Sequence, residues 1–160
     1  MDRLTETIGV LDRLIGFPTI SSDSNMECIA YLQDYLSGLG ARCELTSEVE
    51  GKANLFVTLG PEGDGGIVLS GHTDVVPVAG QDWSSDPFIM RQDDGKLYGR
   101  GTCDMKGFIA ASLVMAKDYA KQDLKRPIHF ALTYDEETGC LGGRVLVDQL
   151  IKDGLKPSIC

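Results

Sequence analysis

Short apolar runs that break off into small-residue turns alternate along this chain with segments of helical period. That alternation most narrows what the chain can fold into. Leu4 to Ile15 places apolar residues at 4, 8, 11, 14 and 15, a helical period stopped by Phe17-Pro18-Thr19. Ser24 and Glu27 predict a capping box for a second helix from about 25 to Leu39, ended by Gly40. Ala41 to Thr46 and Ala53 to Leu59 read as strands joined by a polar turn. Gly60-Pro61-Glu62-Gly63-Asp64-Gly65-Gly66 predicts a hairpin loop, because no Lys-Ser/Thr follows it as a phosphate cradle would require. Ile67 to Ser70 is a short buried strand, and residues 77 to 96 are loop-rich. Asp93-Asp94-Gly95-Lys96 is a hairpin turn leading into Leu97-Tyr98. After the tight turn Gly99 to Asp104, Met105 to Ala120 is a helix with Phe108, Ile109, Leu113 and Ala116 on its apolar face. Pro127 to Tyr134 is a strand, Leu141 to Ile151 a helix, and Pro157 to Cys160 begins another strand.

Helices alternating with buried strands imply an α/β layered domain, and such sheets place sites beyond the carboxyl ends of their strands. His72, Asp104 and the pair Glu136-Glu137 all fall at predicted strand ends. A chain of 160 residues is one domain with a real core. Its 24 acidic and 15 basic residues, net charge -9, argue against nucleic-acid and anionic-membrane partners, because no basic cluster exists to neutralise phosphates. No apolar stretch approaches a membrane span, and the start has acids but no apolar secretory core, so a cytoplasmic protein is expected. Five widely spaced cysteines (28, 43, 103, 140, 160), without Cys-x-x-Cys, fit reduced thiols.

Ser70-Gly71-His72-Thr73-Asp74 delivers a His-x-Asp pair from a strand end. If 72 to 74 stay extended, both side chains leave the same side, and the carboxylate can fix the imidazole tautomer with the other nitrogen free for a metal. The plainer reading is a strand-capping histidine beside a surface aspartate. Asp104, in a glycine-flexible turn, can bridge two metals or cap the helix that follows. Glu136 and Glu137 would face opposite ways in a regular strand, so serving one pocket requires a turn there. They then divide into a metal ligand and a general base, the alternative being a solvated acidic turn. Two carboxylates about 4 Å apart repel by roughly 4 kcal/mol at an effective dielectric of 20. A cluster of them needs a divalent cation, and an imidazole-carboxylate set without thiolate suits zinc, with cobalt or manganese as substitutes. His129, inside an apolar strand, is expected to pack in the core.

Three blocks occur in order: Ser70-Gly71-His72-Thr73-Asp74-Val75-Val76-Pro77, Leu97 to Gly107 containing Gly101-Thr102-Cys103-Asp104-Met105-Lys106-Gly107, and Asp135-Glu136-Glu137-Thr138-Gly139. Together they resemble the co-catalytic zinc aminoacylase/exopeptidase family of metallopeptidases. The flanking blocks Trp83 to Phe88 and Thr138 to Gly143 look most like its acetylornithine deacetylase branch. The resemblance implies a three-layer αβα zinc-exopeptidase-like catalytic domain with a twisted mixed sheet. It implies two divalent ions, zinc or cobalt, with His72, Asp104 (bridging) and Glu137 as ligands, Glu136 as general base and Asp74 orienting His72. The implied reaction is hydrolysis of N-acetyl-L-ornithine to L-ornithine and acetate, in arginine biosynthesis. Related activities in the family are desuccinylase, aminoacylase and dipeptidase. The family pattern continues past residue 160 with a further acidic ligand, a histidine ligand and a dimerisation domain. Residues 1–160 are therefore expected to be the amino-terminal part of such a catalytic domain, poorly active alone, with a homodimer expected for the longer form.

Overall fold

The structure, a computed structural model, describes residues 2–21 and 23–160. The elements run α1 (Arg3–Ile15), α2 (Met26–Ser37), β1 (Arg42–Thr46), β2 (Asn54–Leu59), β3 (Ile67–His72), β4 (Arg91–Asp93), β5 (Lys96–Tyr98), α3 (Lys106–Tyr119), β6 (Ile128–Thr133) and α4 (Leu141–Lys152). The main sheet has the order β1-β2-β6-β3. β6 runs antiparallel to β2 and parallel to β3, and β1 is antiparallel to β2.

Period-two alternation sorts the strand residues between two faces. Leu55, Val57, Leu59, Phe130 and Leu132 join the core formed with α1, α2 and α3. Phe56, Val68 and Ala131 point the other way, onto Leu146 and Leu150 of α4. The result is a three-layer αβα domain with a mixed sheet. β2 is buried along its whole length because both of its faces are covered.

Several sequence expectations change in detail. The glycine-rich segment 60–66 is not a hairpin loop, because β6 lies between β2 and β3. Ser24 and Glu27 form no capping box. Asn25 is the N-cap of α2 and makes no cap bond. Its amide instead pairs with the N–H and C=O of Ala53 (3.0 and 2.9 Å) and with Thr73 Oγ1 (3.0 Å). Phe108 is 42% exposed; the buried face of α3 is Ile109, Ala110, Leu113, Val114 and Ala116. Leu4 likewise faces outward, and α1 buries Val10, Leu11, Leu14 and Ile15. The Asp94-Gly95 hairpin forms as expected, both residues having positive φ (46 and 69), the signature of a type I′ turn. His129 packs as expected, stacked on Phe56 (centroids 5.1 Å) with Nδ1 2.9 Å from Thr58 Oγ1. The segment 157–160 starts a strand beside β3 through a parallel bridge between Ile67 and Ile159.

Two glycines shape the turn that carries Asp104. Gly101 has φ +92, and a side chain there would crowd Val75 and Lys106. A Cβ on Gly107, in the first turn of α3, would sit 2.4 Å from the Thr102 carbonyl oxygen, so only glycine lets the turn lie against the helix start.

All five cysteines are free thiols. Burial pushes the Cys28 thiol up to about 11, against a smaller opposing pull from Lys106. Cys103, Cys140 and Cys160 are exposed. In the folded protein a thiol reagent should therefore modify Cys103, Cys140 and Cys160, and reach Cys28 only after denaturant is added. Mass mapping of the labelled peptides reads this directly.

Candidate metal centre

The site lies where β3 and β6 end side by side. His72 closes β3 opposite Thr133 of β6, and Thr73 N–H donates to the Thr133 carbonyl at 2.8 Å. His72 is buried, with Nδ1 2.9 Å from the backbone carbonyl of Asp74. A carbonyl only accepts, so Nδ1 carries the hydrogen and Nε2 is the nitrogen presented to the site. The Asp74 carboxylate stands farther off, Oδ1 being 3.5 Å from Nδ1. The group that orients the ring is thus the main chain of Asp74 more than its side chain.

The carboxylate of Asp74 has a different task. It is buried and accepts from Ser21 Oγ (2.7 Å), Glu136 N–H (3.0 Å) and Glu137 N–H (3.3 Å). Burial works to raise its pKa, but His72, Ser21 and the two amides outweigh that and hold it at about 2. Those two amides belong to the turn after β6. Asp135 adopts φ 53, which ends the extended course. Gly139 and Cys140 N–H then close on the Glu136 carbonyl, both at 3.0 Å. That break in the strand is what lets neighbouring glutamates address one opening.

His72, Glu136 and Glu137 each offer one ligand atom, all within 4.8 Å of one another. Two donors on one zinc, each about 2.1 Å from it, are at most about 4.2 Å apart, so closing on an ion takes a shift of a fraction of an ångström. Glu136 Oε2 is 3.8 Å from His72 Nε2. Asp104 reaches the set through His72, its Oδ1 standing 3.1 Å from Nε2. Asp104 does not cap α3: the N-cap is Met105, which makes no side-chain cap bond. Nor does Asp104 follow a strand of the main sheet. It arrives from the small β4–β5 hairpin through the turn 99–105.

The electrostatics are those of gathered carboxylates. Burial raises the Glu137 pKa, and Asp104, Glu136 and Asp74 add to the rise against His72. On His72 burial disfavours the cation, yet Asp74 and Asp104 outweigh it and push the imidazole up to about 9. A proton on His72 thus stands where a metal cation would neutralise the same acids. One nitrogen and three carboxylates, with no thiolate among them, are the donor chemistry of a divalent ion such as zinc.

Beneath the site is a buried polar layer that the sequence reading did not single out. Lys52 pairs with Asp135 and donates to the Ser21 carbonyl. Asn25 links Ala53 to Thr73, whose Oγ1 donates to the Thr133 carbonyl at 3.0 Å. Lys106, fully buried, donates to the carbonyls of Leu14 (3.0 Å) and Phe17 (2.7 Å), capping the end of α1 from the start of α3. Lys106 had a readable signal: it falls on the buried stripe 106, 109, 110, 113 of α3. Lys52, Ser21 and Asn25 had none, as their partners lie far away in the chain.

Removing the buried Asp74 carboxylate leaves the amides of Glu136 and Glu137 without their acceptor and the Ser21 hydroxyl with only the Val75 carbonyl at 3.4 Å. Asp74→Ala should lower stability by on the order of 3 kcal/mol in urea unfolding. A loss under 1 kcal/mol would show that solvent or a neighbour replaces the carboxylate.

Residues 68–159 match the profile of peptidase family M20/M25/M40. The chain is 37% identical over 155 residues to acetylornithine deacetylase of Shigella sonnei (strain Ss046), covering 92% of this chain and 40% of that protein. Among solved structures, human carnosine dipeptidase 1 superposes with a TM-score of 0.81 at 27% identity, covering 97% of this chain and 38% of that one. A family M20 metallo-carboxypeptidase from Sulfolobus solfataricus also gives 0.81, at 22% identity and 96% and 35% coverage, a likeness of fold. The chain therefore spans about two fifths of the length of these relatives.

Proposed function

This chain belongs to peptidase family M20/M25/M40, and from that premise we propose that residues 1–160 are the amino-terminal part of the catalytic domain of a metal-dependent amide hydrolase. The substrate we assign is N-acetyl-L-ornithine, cleaved to L-ornithine and acetate, a step of arginine biosynthesis in the cytoplasm. The observation that carries the reading is the convergence of His72, Glu136 and Glu137 within 4.8 Å, with Asp104 on the same imidazole nitrogen. Gathered acids at a shared opening repel one another, and in a non-catalytic domain without metal the His72 imidazolium would be the counter-charge beside them. The 37% identity to an acetylornithine deacetylase supports the choice of substrate.

His72 and Glu137 would each hold one of two divalent cations, zinc or cobalt, and Asp104 would bridge them. The chemistry such cations supply when bound is Lewis acidity, which polarises the scissile carbonyl and lowers the pKa of a water from 15.7 toward about 7. The protein's own share is positional and protonic. The Asp74 carbonyl holds the His72 ring with Nε2 facing the site. Glu136, half exposed at the opening, takes a proton from the attacking water as its oxygen adds to the carbonyl carbon. It then returns that proton to the nitrogen as the carbon–nitrogen bond breaks, which balances the hydrolysis.

The groove beside Glu136, about 400 Å³, is lined by groups such as Val68, Ala131, Leu146, Val147 and Leu150, with no lysine or arginine among its lining. It offers a largely apolar wall and no cationic partner for a substrate carboxylate. We place recognition of the amino-acid end, two further metal ligands and a dimerisation domain in the longer chain expected of this family. The likeness to carnosine dipeptidase 1 favours dipeptide hydrolysis as the second reading.

Zinc or cobalt should raise the melting temperature of the purified chain, by an amount equivalent to about 2.7 kcal/mol at 100 times Kd, and His72→Ala should abolish the effect. No shift at millimolar metal would remove the metal centre from consideration. With metal and N-acetylornithine, turnover by residues 1–160 should be far below that of a longer form of the chain. Comparing acetylornithine, succinyl-diaminopimelate and dipeptides on that longer form assigns the substrate; a preference for either of the latter two overturns our choice.

A further inference from the structure

We propose that Lys52 is a positioning residue for the metal centre: it clamps together the two walls that hold the Asp74 carboxylate, and so sets Glu136 and Glu137 in place. The proposal rests on the metal-centre reading above. Lys52 is buried at the turn before β2, and its ammonium meets two acceptors from distant segments, the Ser21 carbonyl and the Asp135 carboxylate. Each acceptor lies next to a donor to Asp74. Ser21 itself donates to Oδ2 through its hydroxyl at 2.7 Å, and Glu136, one residue past Asp135, donates to Oδ1 through its amide at 3.0 Å.

Asp74 alone attracts these donors but does not fix the direction from which they come. A buried ammonium paired with one carboxylate and one carbonyl does, because leaving either pairing strands a charge or a dipole away from water. Asp135 is also the residue at which the strand breaks, with φ 53. Lys52 therefore grips the one position whose backbone conformation decides where the next two side chains point. A lysine outside the ligand set would thus govern ligand geometry through Asp135 without touching a metal or a substrate. Groups that orient ligands from behind in this way are worth about 10- to 100-fold in metal affinity.

The test uses Lys52→Met and the double variant Lys52→Met/Asp135→Asn. The double variant removes the unpaired charge, so global stability in urea returns toward that of the unsubstituted chain. Two readouts are taken on all three proteins: amide hydrogen exchange at Glu136 and Glu137, which needs no metal, and cobalt(II) affinity from visible absorption. We expect both variants to lose at least 10-fold protection at these two amides while Val57 and Phe130 in the sheet keep theirs, and cobalt affinity to fall about 10- to 100-fold. Full protection at Glu136 and Glu137 in Lys52→Met overturns the proposal. So does recovery of protection and cobalt affinity together with stability in the double variant, since Lys52 would then serve the fold alone. If the unsubstituted chain binds no cobalt while the variants still free the two amides, the metal-centre reading fails and the clamp on the turn stands.

Discussion

A single buried carboxylate organises the working end of this molecule. Asp74 sits just past the end of β3, shielded from water, and an ionised acid there must find donors or lose its charge. It finds them in three separate stretches of chain: the Ser21 hydroxyl and the amides of Glu136 and Glu137, with the His72 ring alongside. Satisfying that one charge draws together the segment after α1, the end of β3 and the turn after β6. The sheet delivers two strand ends to the same place, and Asp74 decides how they meet.

The arrangement gathers negative charge where the fold gives it little relief. Asp104, Glu136 and Glu137 approach an opening whose nearest basic group is His72, and the imidazole responds by holding its proton to about 9. The Glu137 carboxyl shifts in the same sense, its pKa rising first with burial and further with the acids around it. Neighbouring acids contribute to both shifts. Such a set of donors is matched to a cation rather than to itself, in a chain that belongs to peptidase family M20/M25/M40.

Much of this was legible in the sequence because periodicity is local. α1, β2, β3, β6 and α4 follow from apolar spacing, and Asp94-Gly95 announces its own turn. The residues at the opening were also visible, since each ends a recognisable run and the blocks they form resemble a family. Pairing was not legible. Nothing local says that β6 separates β2 from β3, so segment 60–66 read as a hairpin loop. Caps failed for a similar reason: in place of the Ser24–Glu27 box, Asn25 is the N-cap residue of α2 and its side chain goes to the distant Ala53, while the Asp104 carboxylate goes to His72 instead of capping α3. Phe108 beside Ile109 shows the limit of an apolar stripe drawn without its neighbours, because α3 turns Ala110 inward instead. Lys52 was invisible because a lysine in a polar turn ordinarily faces water, and the acid that holds it lies 83 residues away.

The strand order has a consequence for the order of assembly. β6 occupies a slot whose two walls, β2 and β3, are both made earlier in the chain. Residues up to Arg126 include His72 and Asp104 but neither glutamate, and lack the strand that joins β2 to β3. The proposed metal centre is therefore complete only when this late segment pairs with both β2 and β3, which closes long loops. An ion binding to such a centre would lock a completed architecture and could not template its beginning.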